Sequence, residues 1–245
     1  MNMPSAAPML SVQGLGMQFG GLAALSGVTL DVAHGEFVGI IGPNGAGKTT
    51  FFHAISGIIV PTSGLVRMDG REMQGKPPEA FCRAGVARTF QTPRIFAGMT
   101  VQENIRFAFT FGNQVGRSSL IDEVIEETHI GGLRGEIAGS LPPARQRQLE
   151  IAMALVTAPR LLLLDEVAAG LTESEVEDVA RLISRLRKQY GLTVVWIEHA
   201  VRTLMRTVDR VAVLHFGRLL ADGTPAQVSE DESVISAYLG EEVAQ

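Results

Sequence analysis

The chain has 245 residues, 46% hydrophobic and 19% charged, enough to bury a sizeable core as one domain or as two lobes of one. Its net charge is −5 and its 21 Lys and Arg residues are scattered, so no basic stripe tracks a phosphodiester backbone and no nucleic-acid partner is expected. Cys82 is the sole cysteine, which excludes an internal disulfide and fits a reducing compartment.

The first nine residues, Met1 to Met9, hold no Lys or Arg and no continuous apolar stretch, and read as a disordered start rather than a signal peptide or anchor. Strands are expected at Leu10–Met17, Val28–Val32 and Phe37–Ile41, followed by a helix at Lys48–Ile58 and a strand at Gly64–Met68. Helical patterns then occupy Thr100–Phe111, Leu120–His129 and Pro143–Val156 with little β signal between them. Strand-like runs return at Leu161–Leu164 and Thr193–Ile197. Strands alternating with helices on both sides of a helical middle predict an α/β core with a mainly parallel sheet and an inserted helical subdomain. No apolar run approaches the ~18–20 residues that span a bilayer, so any membrane association must come through another chain.

Chemistry concentrates first in Gly42, Pro43, Asn44, Gly45, Ala46, Gly47, Lys48, Thr49 and Thr50, set directly after the apolar run Phe37–Ile41. Glycines let successive N–H groups turn inward as an anion nest, and the following helix offers its positive N-terminal end to the same phosphates. Lys48 is placed to reach the β- and γ-phosphates, Thr49 to ligate Mg²⁺ and Thr50 to contact the α-phosphate. The chain is therefore expected to bind a nucleoside triphosphate. Four leucines, Leu161 to Leu164, lead into Asp165 and Glu166, the form taken by the metal-side motif of phosphate-loop ATPases. Asp165 is then a Mg²⁺ partner through water, and Glu166 the base that polarises the attacking water; two acids opening a solvated loop is the plainer alternative. His199 follows the strand Val194–Ile197 at the sheet edge where ligands bind, although a lone His is more often structural. Phe19, in a turn-like Gln18-Phe19-Gly20-Gly21, is either an exposed ring able to stack on a base or a small-core aromatic. Gln91 by itself carries little meaning.

Taken in this order, the motifs resemble the ATP-binding-cassette (ABC) ATPase domain over about residues 10–240, and most closely the ATP-binding subunits of branched-chain amino acid importers. The resemblance rests on Met17–Leu25, Ile41–Thr50, Arg88-Thr89-Phe90-Gln91, Met99–Ile105, Gln148–Ala152, Ala168–Leu171, Ile197-Glu198-His199, Gly223-Thr224-Pro225 and Ala237–Gly240. It implies a P-loop core over about 10–91 and 159–240 with an antiparallel β subdomain, and a helical subdomain over about 92–158. Phe19 is then the adenine-stacking aromatic, Gln91 a Mg²⁺ ligand that senses the transmembrane partner, and His199 the switch on the γ-phosphate and attacking water. The implied activity is ATP hydrolysis with Mg²⁺, coupled to transport at the cytoplasmic face of the inner membrane through permease subunits that also meet a solute-binding protein.

Three departures qualify the resemblance. Where the family carries a Leu-Ser-Gly-Gly-Gln type signature, this chain reads Leu141, Pro142, Pro143, Ala144 and Arg145. That signature caps the γ-phosphate on the other subunit of a closed dimer, and Pro142 has no hydroxyl and Pro143 no N–H to do so. Each lost donor costs about 1–3 kcal/mol toward a charged acceptor, whereas a proline in the first helical turn leaves the fold intact. The expectation is a heterodimer with a second, different cassette. Val167 also replaces the usual proline after Glu166, and Thr172 stands where relatives have Asp or Asn. A soluble ABC protein, or an ABC system for urea, amides or lipid, is the alternative reading.

Overall fold

The computed structural model describes residues 7–112 and 119–242, in two compact units: one runs to Ala84 and resumes at Val208, the other is Gly85–Thr207. The first unit opens with β1 (Leu10–Phe19) and β2 (Leu22–Val32), joined through Gly20, whose φ of +58° suits a residue without Cβ. A wholly buried β3 (Phe37–Ile41) leads to α1 (Lys48–Ile55), and β4 (Ser63–Met68), β5 (Arg71–Glu72) and α2 (Pro78–Arg83) follow. Strands β2, β1, β4 and β5 lie in that order in one antiparallel sheet, with Leu10 opposite Val32 on one side and Met68 on the other. Val28, Leu30 and Val32 alternate with exposed residues, the period-2 pattern of a half-buried sheet. Of the expected disordered start, residues 1–6 lie outside the described residues. Met9 is fully buried, and its carbonyl accepts the Asp69 N–H at 3.1 Å where β1 begins its pairing.

Helix α1 stops three residues short of the expected Ile58. Gly57 takes φ +74°, the Ile58 N–H bonds the His53 carbonyl at 2.9 Å, and the Gly57 N–H reaches Ala54 at 3.4 Å, a Schellman end that closes the last carbonyls.

The second unit begins with β6 (Val86–Arg88) and the helices α3 (Val101–Thr110), α4 (Ser119–Glu127) and α5 (Pro143–Leu155). Then come β7 (Leu161–Asp165), α6 (Glu173–Tyr190), β8 (Thr193–Ile197) and α7 (Val201–Thr207). Strands β6, β7 and β8 run parallel, Val86 opposite Leu161 and Leu161 opposite Thr193. Every residue of β7 and β8 is buried, as expected of parallel strands covered on both faces. Thr100 and Glu103 form a capping box that starts α3, and Thr172 and Glu175 one that starts α6, each worth about 1 kcal/mol. No element is expected between Leu164 and Thr193, yet Val176, Val179, Ala180, Ile183 and Leu186 bury one stripe of α6.

The first unit resumes with β9 (Arg210–His215), parallel to β3, and β10 (Arg218–Gly223), antiparallel to β9; α8 (Pro225–Glu230) and α9 (Glu232–Glu242) end it. Arg210 ties these strands to the loop before β3, reaching Glu36 at 2.7 Å and both Asp222 oxygens at 2.7 and 2.8 Å. No helix among the described residues is long and apolar enough to cross a membrane.

Candidate nucleotide-binding and hydrolytic site

The phosphate loop lies wholly in the first unit, between β3 and α1. Gly42 has φ +153°, and a Cβ there would stand 2.1 Å from the Leu214 carbonyl oxygen. Gly47, the residue before α1, has φ +99°, with a Cβ position 2.6 Å from the Ala24 carbonyl oxygen. Both therefore need glycine for backbone conformation and for space. Gly45 is left-handed too, at +77°, and it is exposed with Asn44 and Thr49. The loop is braced from β9–β10 by the Gly217 N–H, which donates to Ala46 at 3.0 Å. Lys48 is buried, and its Nζ donates to the carbonyls of Gly42 at 2.6 Å and Pro43 at 2.9 Å. The ammonium is thus held over the loop's own backbone at the mouth of α1, where no acidic residue occupies the first turn. A positive side chain at a helix N-terminus makes an anion cradle. Phe19 sits at the end of β1 with half its surface exposed, so the small-core alternative for this ring does not hold.

In the second unit, β7 ends on the two carboxylates. Glu166 adopts φ +47°, an uncommon state for a residue with a Cβ, and its N–H bonds the Ile197 carbonyl at 2.9 Å. That backbone turn presents the Glu166 carboxylate to two partners at once. Gln91 Nε2 donates to one oxygen at 2.7 Å, and His199 Nε2 lies 2.9 Å from the other. Three residues separated by up to 108 positions in the chain, Gln91 to His199, are thereby gathered on one carboxylate. A cavity of about 420 Å³ opens beside Glu166 and His199, lined also by Ala168, Leu171 and Val201.

Asp165 faces a partner that the sequence analysis quotes without assigning a role. Arg88 Nη2, at the end of β6, meets Asp165 Oδ2 at 2.5 Å with both side chains almost fully buried, and the Asp165 N–H bonds Thr89 Oγ1 at 3.2 Å. Burial pulls the Arg88 guanidinium down, while Asp165 supports its charge. A buried arginine of this kind has one sequence signal, its place at the end of a short strand beside β7.

Glu198 is the second feature not anticipated as a site residue. Its Oε1 accepts the Ala168 N–H at 2.7 Å and the Trp196 indole N–H at 3.1 Å, and its Oε2 the His199 N–H at 3.2 Å, so one buried carboxyl braces both the turn after Glu166 and the backbone of His199. Burial pushes this carboxyl up, against the hydrogen bonds that hold it down. Such a group binds its proton more tightly folded than unfolded. Its stabilising contribution is full below the unfolded value of about 4.3 and is lost as pH rises through the raised folded value. Glu198→Gln removes that titration, so the stability of the natural protein relative to this variant should decline as pH rises through that window. Urea unfolding at a series of pH values checks it, and a difference flat with pH would contradict the raised carboxyl.

The segment Leu141–Arg145 lies at the start of α5. Leu141 is buried, Pro142 is the cap without a side-chain bond, Pro143 is the first helical residue, and Arg145 Nη1 turns back to Gln148 at 2.7 Å. Both prolines are exposed at this helix end. Val167 is fully buried, and Thr172 is the N-cap of α6, a role Asp or Asn would serve equally, so that departure leaves the local fold unchanged.

Among the described residues no cluster of three or more His, Cys, Asp or Glu forms a metal cage. The donors expected for Mg²⁺, the Thr49 hydroxyl, the Gln91 amide oxygen and the Asp165 carboxylate, are all hard oxygens. Donors of this type suit Mg²⁺, which takes few protein ligands and completes its shell with water and phosphate.

Comparison with known proteins agrees with this chemistry. The family model described as ABC transporter matches residues 25–169, and that described as branched-chain amino acid ATP-binding cassette transporter matches residues 218–244. BraF of Pseudomonas aeruginosa, a high-affinity branched-chain amino acid transport ATP-binding protein, is 43% identical over 96% of this chain and 98% of its own length. LivG of Escherichia coli, named for the same role, is 39% identical over 96% and 98%. The crystal structure of a nucleotide-free ATP-binding cassette from an ABC transporter superposes with a TM-score of 0.84 at 26% identity, covering 94% of this chain and 98% of that one. The chain belongs to the ABC transporter family, as an ATP-hydrolysing subunit near those of branched-chain amino acid transport.

Proposed function

We propose that this subunit drives import of branched-chain amino acids or related small polar solutes as one half of an asymmetric pair of cassettes. The solute reading is supported by the transport role named for BraF and LivG and by the match of residues 218–244 to the branched-chain family. The observation that carries the asymmetry is the pair Pro142 and Pro143 at the head of α5, which removes a hydroxyl and an N–H from the segment that would cap a partner's nucleotide.

On this reading Phe19 stacks on adenine and Gly42–Thr50 cradle the phosphates. Glu166 takes the proton from the attacking water, while Gln91 and His199 orient the carboxylate and the γ-phosphate. Mg²⁺, when bound through Thr49, Gln91 and Asp165, would neutralise charge developing between the β- and γ-phosphates. The pair sits at the cytoplasmic face of the inner membrane through permease subunits that also receive solute from a binding protein. The proposed permease contact is the stretch Thr92–Ala97 with α3. There Phe96, Phe107 and Phe111 stand exposed, with ring centroids 4.6 and 5.1 Å apart, whereas Ile105 of the same helix is fully buried and packs the core.

The reading is tested first on nucleotide binding. Lys48→Ala removes the charge on the β- and γ-phosphates and should weaken ATP at least about tenfold in a titration. Unchanged affinity would overturn the phosphate-loop assignment. Co-purification with the permease, lost on placing a charge at Phe107 with ATP binding intact, tests the docking stretch.

A further inference from the structure

The buried pair Arg147 and Glu150 on α5 serves none of the steps above, yet it grips the backbone of Gln91. Arg147 Nη1 donates to the Phe90 carbonyl at 2.6 Å and Nη2 to the Gln91 carbonyl at 2.7 Å. Glu150 Oε1 accepts the N–H groups of Phe90 at 3.1 Å and Arg94 at 2.9 Å. The two side chains close on each other at 2.5 Å, and both are at least nine-tenths buried. Charged residues at this depth are rare unless satisfied, and here the hydrogen bonds that the pair makes beyond itself go to one short segment, 90–94. Phe90 is fixed from the other side too, its ring lying under the guanidinium groups of Arg88 at 5.1 Å and Arg94 at 5.5 Å.

The consequence lies in what Gln91 does with its other end. Its carbonyl is held by α5, and its side-chain amide is held on Glu166 Oε2 at 2.7 Å. Helix α5 begins at the degenerate signature, two residues after Leu141 and four before Arg147. A shift of that helix head would therefore move Gln91, which holds one oxygen of the Glu166 carboxylate while His199 lies against the other. We infer that Arg147 and Glu150 are positioning residues: they make the aim of Gln91 at Glu166, and so the rate of hydrolysis, depend on where α5 stands. This rests on the reading of Glu166 as the base and Gln91 as its neighbour.

The fork geometry makes the inference testable by conservative change. Lys keeps the charge of Arg147 but has one ammonium where the guanidinium reaches two carbonyls and a carboxylate. In the assembled transporter, Arg147→Lys should lower kcat about tenfold, as small misplacements of catalytic geometry do, with KM for ATP within about twofold. In a Gln91→Ala background the same change should cost less than about twofold, because the residue it aims is gone. A merely structural role would lower kcat equally in both backgrounds, and that outcome overturns the inference while leaving the reading of Gln91 intact. Gln91→Ala at the natural rate would instead overturn that reading and the inference with it. Should Arg147→Lys fail to assemble, Glu150→Gln, which keeps an oxygen for Phe90 and Arg94 but breaks the ion pair, is put through the same cycle with the same two outcomes.

Discussion

Glu166→Gln should leave ATP binding in place and lower turnover of the assembled transporter by about 10²–10⁴-fold, the range that a positioned general base contributes. The substitution is unusually clean at this site. An amide oxygen can still accept the Gln91 Nε2–H, and its NH₂ can face His199 Nε2 if the imidazole presents its lone pair there, so both contacts at 2.7 and 2.9 Å can survive. What cannot survive is acceptance of a proton from water. The backbone strain at φ +47° is carried by the Ile197 bond and is independent of the side-chain head, so the fold should be unaffected. Pre-steady-state hydrolysis checks it, and a rate near that of the natural protein would remove Glu166 from the role of base.

Restoring Ser, Gly, Gly and Gln at positions 142 to 145 should raise hydrolysis at the site this chain caps by about a hundredfold. Recovery of two or more donors on a charged acceptor amounts to ~3 kcal/mol if it falls on the transition state. The structure bounds the side effects. Pro143 occupies the first helical position, where proline is comfortable, and two glycines in the first turn cost about 1 kcal/mol each. A serine at the cap returns about 1 kcal/mol, so the fold should tolerate the change. Measured in the complex, no gain in any assembly would contradict the view that these prolines disable the cap.

The parts of the site that were legible from sequence are those where local backbone geometry and chemistry coincide. Gly42, Gly45 and Gly47 take the positive φ values that their motif implies, and β3 and β8 match the expected strands residue for residue. Gln91 and His199 were different. Gln91 carries no local signal and His199 only its place after β8 at the sheet edge; the resemblance gave both of them roles toward the nucleotide, and only the fold shows them together on the Glu166 carboxylate. The buried charges were missed for a further reason. Arg147 and Glu150 stand at i and i+3 on a helix, the spacing of an ordinary solvent-exposed ion pair, and only tertiary packing turns them inward onto segment 90–94. Arg88 and Glu198 are likewise charged residues whose partners, Asp165 and Ala168, lie 77 and 30 positions away. Helix α6, by contrast, carries both an apolar periodicity and the Thr172–Glu175 capping signal, so its helix is legible in the sequence alone.

The count of phosphate released in a single round tests the account most directly. The transporter assembled from this chain, its partner cassette and the permease is loaded with ATP at both sites and started with Mg²⁺, and phosphate per complex is read in the fast phase by rapid quench. One competent site, made of this chain's phosphate loop, Glu166 and His199 against the partner's intact signature, predicts one phosphate per complex, abolished by Glu166→Gln and spared by the matching change in the partner. Two phosphates per complex, or equal loss from either change, would contradict it.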